Sequence, residues 1–178
     1  MTNVQLKDKI FELLIPEKVI IKEIRRIAKD IERDMKDKDP LFICVLNGAF
    51  IFASELIKRM NLSCEVGFIR IKSYEGTRSS GSIKEIQGFV DNIENRHVVI
   101  IEDIIDTGNT VSYLLHKLQA ENPASIKVAC MLFKPNALEI EVKPDYCALE
   151  IPNDFIVGYG LDYEGIGRNL KNIYKIKS

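Results

Sequence analysis

The residues best suited to chemistry lie in one stretch, Glu102, Asp103, Asp106, Thr107, Gly108, Asn109 and Thr110, at the end of the apolar run 97–102. Small and hydroxyl-bearing residues at a strand-to-helix turn leave backbone N–H groups free, and a helix start favours an anion such as phosphate. Thr107 and Thr110 add hydroxyl donors. Glu102 and Asp103 are acceptors when ionised and are unsuited to holding the phosphate itself. They suit sugar hydroxyls, or a Mg²⁺ bridging those hydroxyls to pyrophosphate. Neither a Walker A string nor G-x-G-x-x-G occurs, which excludes an ordinary ATPase loop and a dinucleotide fingerprint. On the residues alone two readings stand: an anion-binding turn with two spare carboxylates, or an acidic turn that caps a helix.

Such a turn needs a scaffold. Between 17 and 37 apolar residues fall at Ile20, Ile24, Ile27, Ala28, Ile31 and Met35, the spacing of one helical face. Pro16 suits the first turn and the run 37–40, DKDP, ends it. The run 41–47, LFICVLN, is short and apolar with little alternation, as in a strand covered on both faces. Gly48 opens a second helical stretch over 49–60, and a strand over 64–73 follows. The Gly-, Ser- and Thr-rich segment 75–82 reads as a mobile loop. A strand over 97–102 leads to a helix with Val111, Leu114, Leu115 and Leu118 on one face, stopped by Asn122-Pro123. Strands over 125–133 and 146–151 complete the alternation. This is an α/β pattern, a parallel sheet with helices on both faces. Ligands bind such sheets beyond the carboxyl ends of the strands, where 102–110 falls. From Pro152 onward the chain is richer in Gly and Tyr and less periodic, as for a small flap over the sheet.

Bulk properties narrow the function classes. The 178 residues fit one domain with room for a small subdomain. A formal net charge of −1 gives no global attraction to nucleic acid or anionic membrane. Apolar runs are too short to span a bilayer, and the first 18 residues lack the apolar region of a signal peptide. Cys44, Cys64, Cys130 and Cys147 form no C-x-x-C pair, and two histidines accompany them, which argues against a zinc site. They read as buried free thiols in the reducing cytoplasm.

The string 98–110, VVIIEDIIDTGNT, resembles the phosphoribosyl pyrophosphate (PRPP) motif of type I phosphoribosyltransferases, in the form of the hypoxanthine-guanine branch. VLNGAFIF resembles the family's pyrophosphate loop and IKSYEGTRSSG its mobile catalytic loop, with Ser73 and Tyr74 in place. FKPNALEIEVKPDY carries a lysine where the family has one, and IPNDFIVGYGLDYEGIGRNL matches its purine-binding hood. With five motifs in order, the resemblance covers nearly the whole chain beyond Leu41. It implies the type I phosphoribosyltransferase fold, a central parallel sheet flanked by helices with a small hood subdomain. The core would span 1–151, its N-terminal segment contributing to the hood, and the hood 152–178.

The same resemblance implies roles. Glu102 and Asp103 would hold the ribose hydroxyls and Mg²⁺, while Asp106, Thr107, Gly108, Asn109 and Thr110 would wrap the 5-phosphate. Asn47 and Gly48 would contact the pyrophosphate, in a loop that carries a cis peptide in the family, and Ser73 of the mobile loop would also bind PRPP. Asp106 would be the general base at the purine N7, and Lys134 would donate to O6. Phe155 would stack on the base, Ile156 would bond it through its backbone, and Asp162 would approach a second Mg²⁺. Arg168 would meet the pyrophosphate and Tyr74 would close the mobile loop. The implied reaction joins hypoxanthine, and guanine, to the ribose 5-phosphate of PRPP, giving IMP or GMP and pyrophosphate. The family assembles as homodimers or homotetramers, with small-molecule substrates and no nucleic-acid or membrane partner. Without the resemblance, Phe155 reads as core, Lys134 as a solvated strand-end lysine, Arg168 as a surface residue and Tyr74 as a loop aromatic. Two departures stand out: Asn47 replaces a basic residue common among relatives, and Gly165 and Gly167 loosen the approach to Arg168. Asp106 and Lys134 argue against an adenine-type transferase. A regulatory homologue that binds RNA is the alternative of a different class, and it would need a basic face.

Overall fold

The apolar runs of the middle of the chain become adjacent strands, and the helical faces between them cover those strands on both sides. In a computed structural model the elements run β1 (Asn3–Leu6), β2 (Lys9–Ile15), α1 (Glu17–Met35), β3 (Leu41–Leu46), α2 (Phe50–Ile57), β4 (Glu65–Ser73), β5 (Ile83–Gln87), β6 (His97–Ile105), α3 (Asn109–Gln119), β7 (Ser125–Phe133), β8 (Tyr146–Glu150), β9 (Ile156–Val157) and β10 (Ile173–Ile176). The structure describes residues 3–73, 83–87 and 92–177. Tyr74 and the expected loop over 75–82 lie outside the described residues.

The larger sheet has the order β5-β4-β3-β6-β7-β8. Its strands β4, β3, β6, β7 and β8 are parallel, and β5 runs antiparallel along the edge of β4. The strand β5 has no counterpart in the sequence reading. One face packs on α1 and α2 through Ile20, Ile24, Ile27, Ile31, Phe52 and Leu56, and the other on Val111, Leu114 and Leu118 of α3. Each fully buried Ile or Leu contributes about 1.5–3 kcal/mol relative to exposure, so these stripes fix the layers. Leu115, expected on the same face, is only partly buried at its margin. The chain leaves β3 toward β4 on one side and β6 toward β7 on the other, so the strand order reverses between β3 and β6. A crevice opens at such a switch point.

Two expectations change. Glu102 and Asp103 do not begin a loop, because β6 continues to Ile105, where β7 still supplies register partners in Leu132 and Phe133. The segment beyond Pro152 is not an irregular flap. It gives β9 and β10, which join β1 and β2 in a second sheet of order β1-β2-β10-β9. Phe11, Val157 and Tyr174 form that sheet's own small core.

All four cysteines are free, with Cys44 and Cys130 buried and Cys64 and Cys147 partly so. Burial, then the nearby Glu102 and Asp103 charges, pushes the Cys44 thiol up to about 12, as befits an inert packing residue. No helix among the described residues is long and apolar enough to cross a membrane.

Candidate active site

The turn after β6 is shaped by Gly108, whose φ of +85° is a conformation glycine adopts without steric cost. A Cβ there would meet the Ile140 carbonyl oxygen at 2.7 Å. The turn is braced from the segment after β7. Glu139 and Ile140 N–H groups donate to the Thr107 carbonyl at 2.9 and 3.2 Å, and Asn109 Nδ2 donates to Thr107 Oγ1 and to Glu139 Oε2. The first helical bond of α3 runs from Ser112 N–H to the Gly108 carbonyl. The Thr110 and Val111 N–H groups therefore have no acceptor among the described residues, and they point into an electropositive helix start. A cavity of about 200 Å³ opens there, between Glu102 and Asp103 on one side and Thr107, Gly108 and Thr110 on the other.

A second cavity of about 150 Å³ shares Glu102, Asp103 and Thr110 and extends to Leu46 and Gly48 after β3. Burial, then the Asp103 charge, pushes the Glu102 carboxyl well above the usual carboxylate range, and its buried Oε2 has no hydrogen-bond partner. Burial also lifts Asp103, to about 6, against the hydrogen bond from Ile104 N–H to its Oδ1 at 2.8 Å. Gly48 permits this arrangement, because a Cβ on it would lie 1.5 Å from Asp103 Oδ2. The peptide Leu46–Asn47 is cis, as the resemblance implied.

Lys134, at the end of β7, is 5% exposed rather than solvated. Its Nζ donates to Asp106 Oδ2 at 2.8 Å, joining residues from two strand ends beside the first cavity, which Asp106 lines. Phe155 is 49% exposed, contrary to a core reading, and leans on Phe11 and Tyr163. Ile156 is buried, and its backbone faces Lys175 of β10 in the sheet register. Arg168 pairs through Nη2 with Asp162 and donates from Nη1 to the Gly160 carbonyl at 2.7 Å; Gly165 N–H occupies the other Asp162 oxygen. The positive charge of Arg168 offsets part of the burial effect on the Asp103 carboxyl. Ser73 closes β4.

Residues 15–164 match the family model of the phosphoribosyl transferase domain. The chain belongs to the phosphoribosyltransferase family. A hypoxanthine-guanine phosphoribosyltransferase of Streptococcus thermophilus is 38% identical over 173 residues, 97% of this chain and 96% of that protein. A hypoxanthine-guanine-xanthine phosphoribosyltransferase of Tritrichomonas foetus is 38% identical over 178 residues, 99% and 97% of the two chains. A solved hypoxanthine phosphoribosyltransferase from Trypanosoma cruzi, in a ternary substrates complex, superposes with a TM-score of 0.87 at 35% identity, covering 93% of this chain and 94% of that one. In this phosphoribosyltransferase the sequence reading left out Gly160, where an added Cβ would lie 2.0 Å from the Gly48 carbonyl oxygen, and the aromatic neighbours of Phe155. Gly160 sits in a run of glycines that signalled turns without saying what the turns approach.

Proposed function

We propose that this enzyme is a purine salvage transferase that joins hypoxanthine, and guanine, to the ribose 5-phosphate of PRPP, giving IMP or GMP and pyrophosphate. The observation that carries the reading is the buried Lys134 beside Asp106 at the rim of the phosphate cavity. A 6-oxopurine presents an O6 acceptor and an N7 proton side by side. Lys134 is purely a donor and suits O6; ionised Asp106 is purely an acceptor and suits the N7 proton. The 6-amino group of adenine would set a donor against the Lys134 ammonium. The RNA-binding alternative finds no support, since the named relatives are transferases.

The N–H groups of the turn 106–110 receive the 5-phosphate, which leaves C1′ facing the base. Phe155 stacks on the purine and the Ile156 backbone bonds it. As N9 displaces pyrophosphate, positive charge builds on the ribose, and Glu102 and Asp103 stabilise it from beneath while holding the hydroxyls. Asp106 accepts the N7 proton as general base. Arg168 offers a planar guanidinium to the departing pyrophosphate, supported by the Asn47–Gly48 backbone and Ser73. Tyr74, outside the described residues, closes the loop and excludes water.

The carboxylates fit Mg²⁺. Glu102 Oε2 is buried without a partner, and both groups are lifted in pKa by burial, so a hard cation would restore their charge. Glu102 and Asp103 would hold one ion and Asp162 would approach a second. Bound there, Mg²⁺ would supply positive charge against the pyrophosphate. Among the described residues no three His, Cys, Asp or Glu side chains gather to hold a metal by themselves, so substrate oxygens and water would complete the shell.

In this reading the core spans 1–151, its N-terminal segment contributing to the hood, and the purine-binding hood spans 152–178; the pairing of β1 and β2 with β10 and β9 supports it. The enzyme works in the cytoplasm, where four free cysteines stay reduced. It assembles as a homodimer or homotetramer; Val66 and Phe68, exposed on one face of β4, offer apolar surface for this. The test is nucleotide formation from PRPP with Mg²⁺ and hypoxanthine, guanine, xanthine or adenine in turn. Turnover of hypoxanthine with adenine inert is expected, and Lys134→Ala should reduce that preference. Efficient turnover of adenine would overturn the reading.

A further inference from the structure

The purine side of the site is built from residues 155–168, yet the other end of the chain holds it in place. Three consecutive residues at the turn between β1 and β2 grip it. Leu6 lies so near Gly167 that a Cβ on the glycine would sit 2.7 Å from Leu6 Cδ1. Lys7 pairs with Glu164, and Tyr163 Oη donates to Asp8 Oδ1 at 2.9 Å. Farther along, Phe11 is fully buried, with its ring centroid 6.3 Å from that of Phe155 and 5.9 Å from that of Tyr163. Tyr163 meets Phe155 nearly edge-on, at 6.0 Å and 86°. The three rings form a triangle, so Phe155 packs against both Phe11 and Tyr163 while half of it stays open to solvent.

We infer that the β1–β2 turn, through Asp8 and Tyr163, positions Phe155, and so sets affinity for the purine without touching it. This rests on the purine-transferase reading. A stacking ring that must be ordered when its ligand arrives loses affinity to that ordering, and a ring already packed does not. The Tyr163 ring supplies part of that packing, and Asp8 fixes its plane by accepting from the hydroxyl. The hydrogen bond itself is exposed and adds little to global stability. Its effect is geometric. Leu6 and Lys7 hold Gly167 and Glu164 separately, and Arg168 is bonded to Asp162 and to the Gly160 carbonyl, so the Asp8–Tyr163 tie can be cut while those contacts remain. Asp8 and Tyr163 are therefore positioning residues, and the phosphate cavity, walled by the larger sheet, is indifferent to them.

Steady-state kinetics on the full chain with Mg²⁺ test this, varying hypoxanthine and PRPP separately. Tyr163→Ala should raise KM for hypoxanthine by about 5–20-fold, with KM for PRPP and kcat within about twofold. Tyr163→Phe, Asp8→Ala and the double variant should each raise it by about 2–4-fold, without adding, because one interaction is removed three ways. Tyr163→Phe keeps the ring, so these variants carry the test even where Tyr163→Ala fails to fold. Equal rises in both KM values, or no rise while the wild type turns over hypoxanthine, would overturn the inference alone. A wild type that forms no nucleotide from any 6-oxopurine would remove the function reading first, and this inference with it.

Discussion

The two sheets of this molecule differ in how the chain builds them. The larger arises from consecutive crossovers between Leu41 and Glu150, with helices buried on both faces. The smaller joins strands from opposite ends of the chain around little more than Phe11, Val157 and Tyr174. In the larger sheet the groups assigned to the sugar phosphate and the base edge sit toward strand ends: Glu102 and Asp103 in the last part of β6, Lys134 just after β7. In the smaller one the groups assigned to the base sit on a two-residue strand and on turns held from afar. A deep two-sided core can keep two carboxylates buried together, which is costly, whereas a thin sheet suits a surface that must admit and release a flat ligand.

The largest expected effect tests the chemistry of the larger sheet. Asp106→Asn should lower kcat by roughly 10²–10⁴-fold while PRPP affinity, measured by calorimetry, changes only a few-fold. A greater loss of PRPP affinity than of turnover would rule out the general-base role.

Next comes the smaller sheet. Truncating the fully buried Phe11 to Ala should cost its local stability about 3–5 kcal/mol. Hydrogen exchange should then show β1, β2 and β10 losing protection while β3 and β6 keep theirs, and purine affinity should fall before PRPP affinity. Uniform loss across both sheets would erase the distinction drawn between them.

The junction of the sheets follows. Gly48→Ala would set a Cβ 1.5 Å from Asp103 Oδ2, and the Gly48 carbonyl is already pressed by Gly160. Displacing the carboxylate by about an ångström should reduce kcat/KM for PRPP on the order of 10²-fold.

The smallest effect concerns pH. Asp103 is lifted by burial to about 6 from the usual 3.8, so its contribution to stability is fully present below about pH 4 and is lost as pH rises through about 6. Asp103→Asn should therefore exceed the wild type by about 2 kcal/mol at pH 8 in urea unfolding, a figure reduced for residual solvent contact, and converge with it near pH 4. The same variant should lose Mg²⁺-dependent turnover. No difference between pH 4 and pH 8 would show that Asp103 is not held at a cost.

Much of the larger sheet was legible in the residues. Runs such as 98–101 and 128–132 are apolar throughout because both faces are covered, and α1 shows its buried stripe at Ile20, Ile24, Ile27, Ala28, Ile31 and Met35. The smaller sheet was not, since short strands alternate weakly and the pairing of β2 with β10 that joins its halves links residues more than a hundred positions apart. Without the resemblance Lys134 reads as solvated and Phe155 as core, whereas Lys134 is buried and Phe155 half exposed, because residue type reports an average preference for burial and says nothing of a particular neighbour.

Composition and local pattern therefore settle the order of strands and helices from α1 to β8, β5 apart, with the acidic turn and its free N–H groups, since these depend on residues close in the chain. Contacts across the chain settle the rest. Lys134 meets Asp106, Gly48 makes room for Asp103, and Asp8 holds Tyr163 from 155 positions away. Periodicity records which side of an element is buried, whereas packing between distant elements decides what each buried or half-buried group faces.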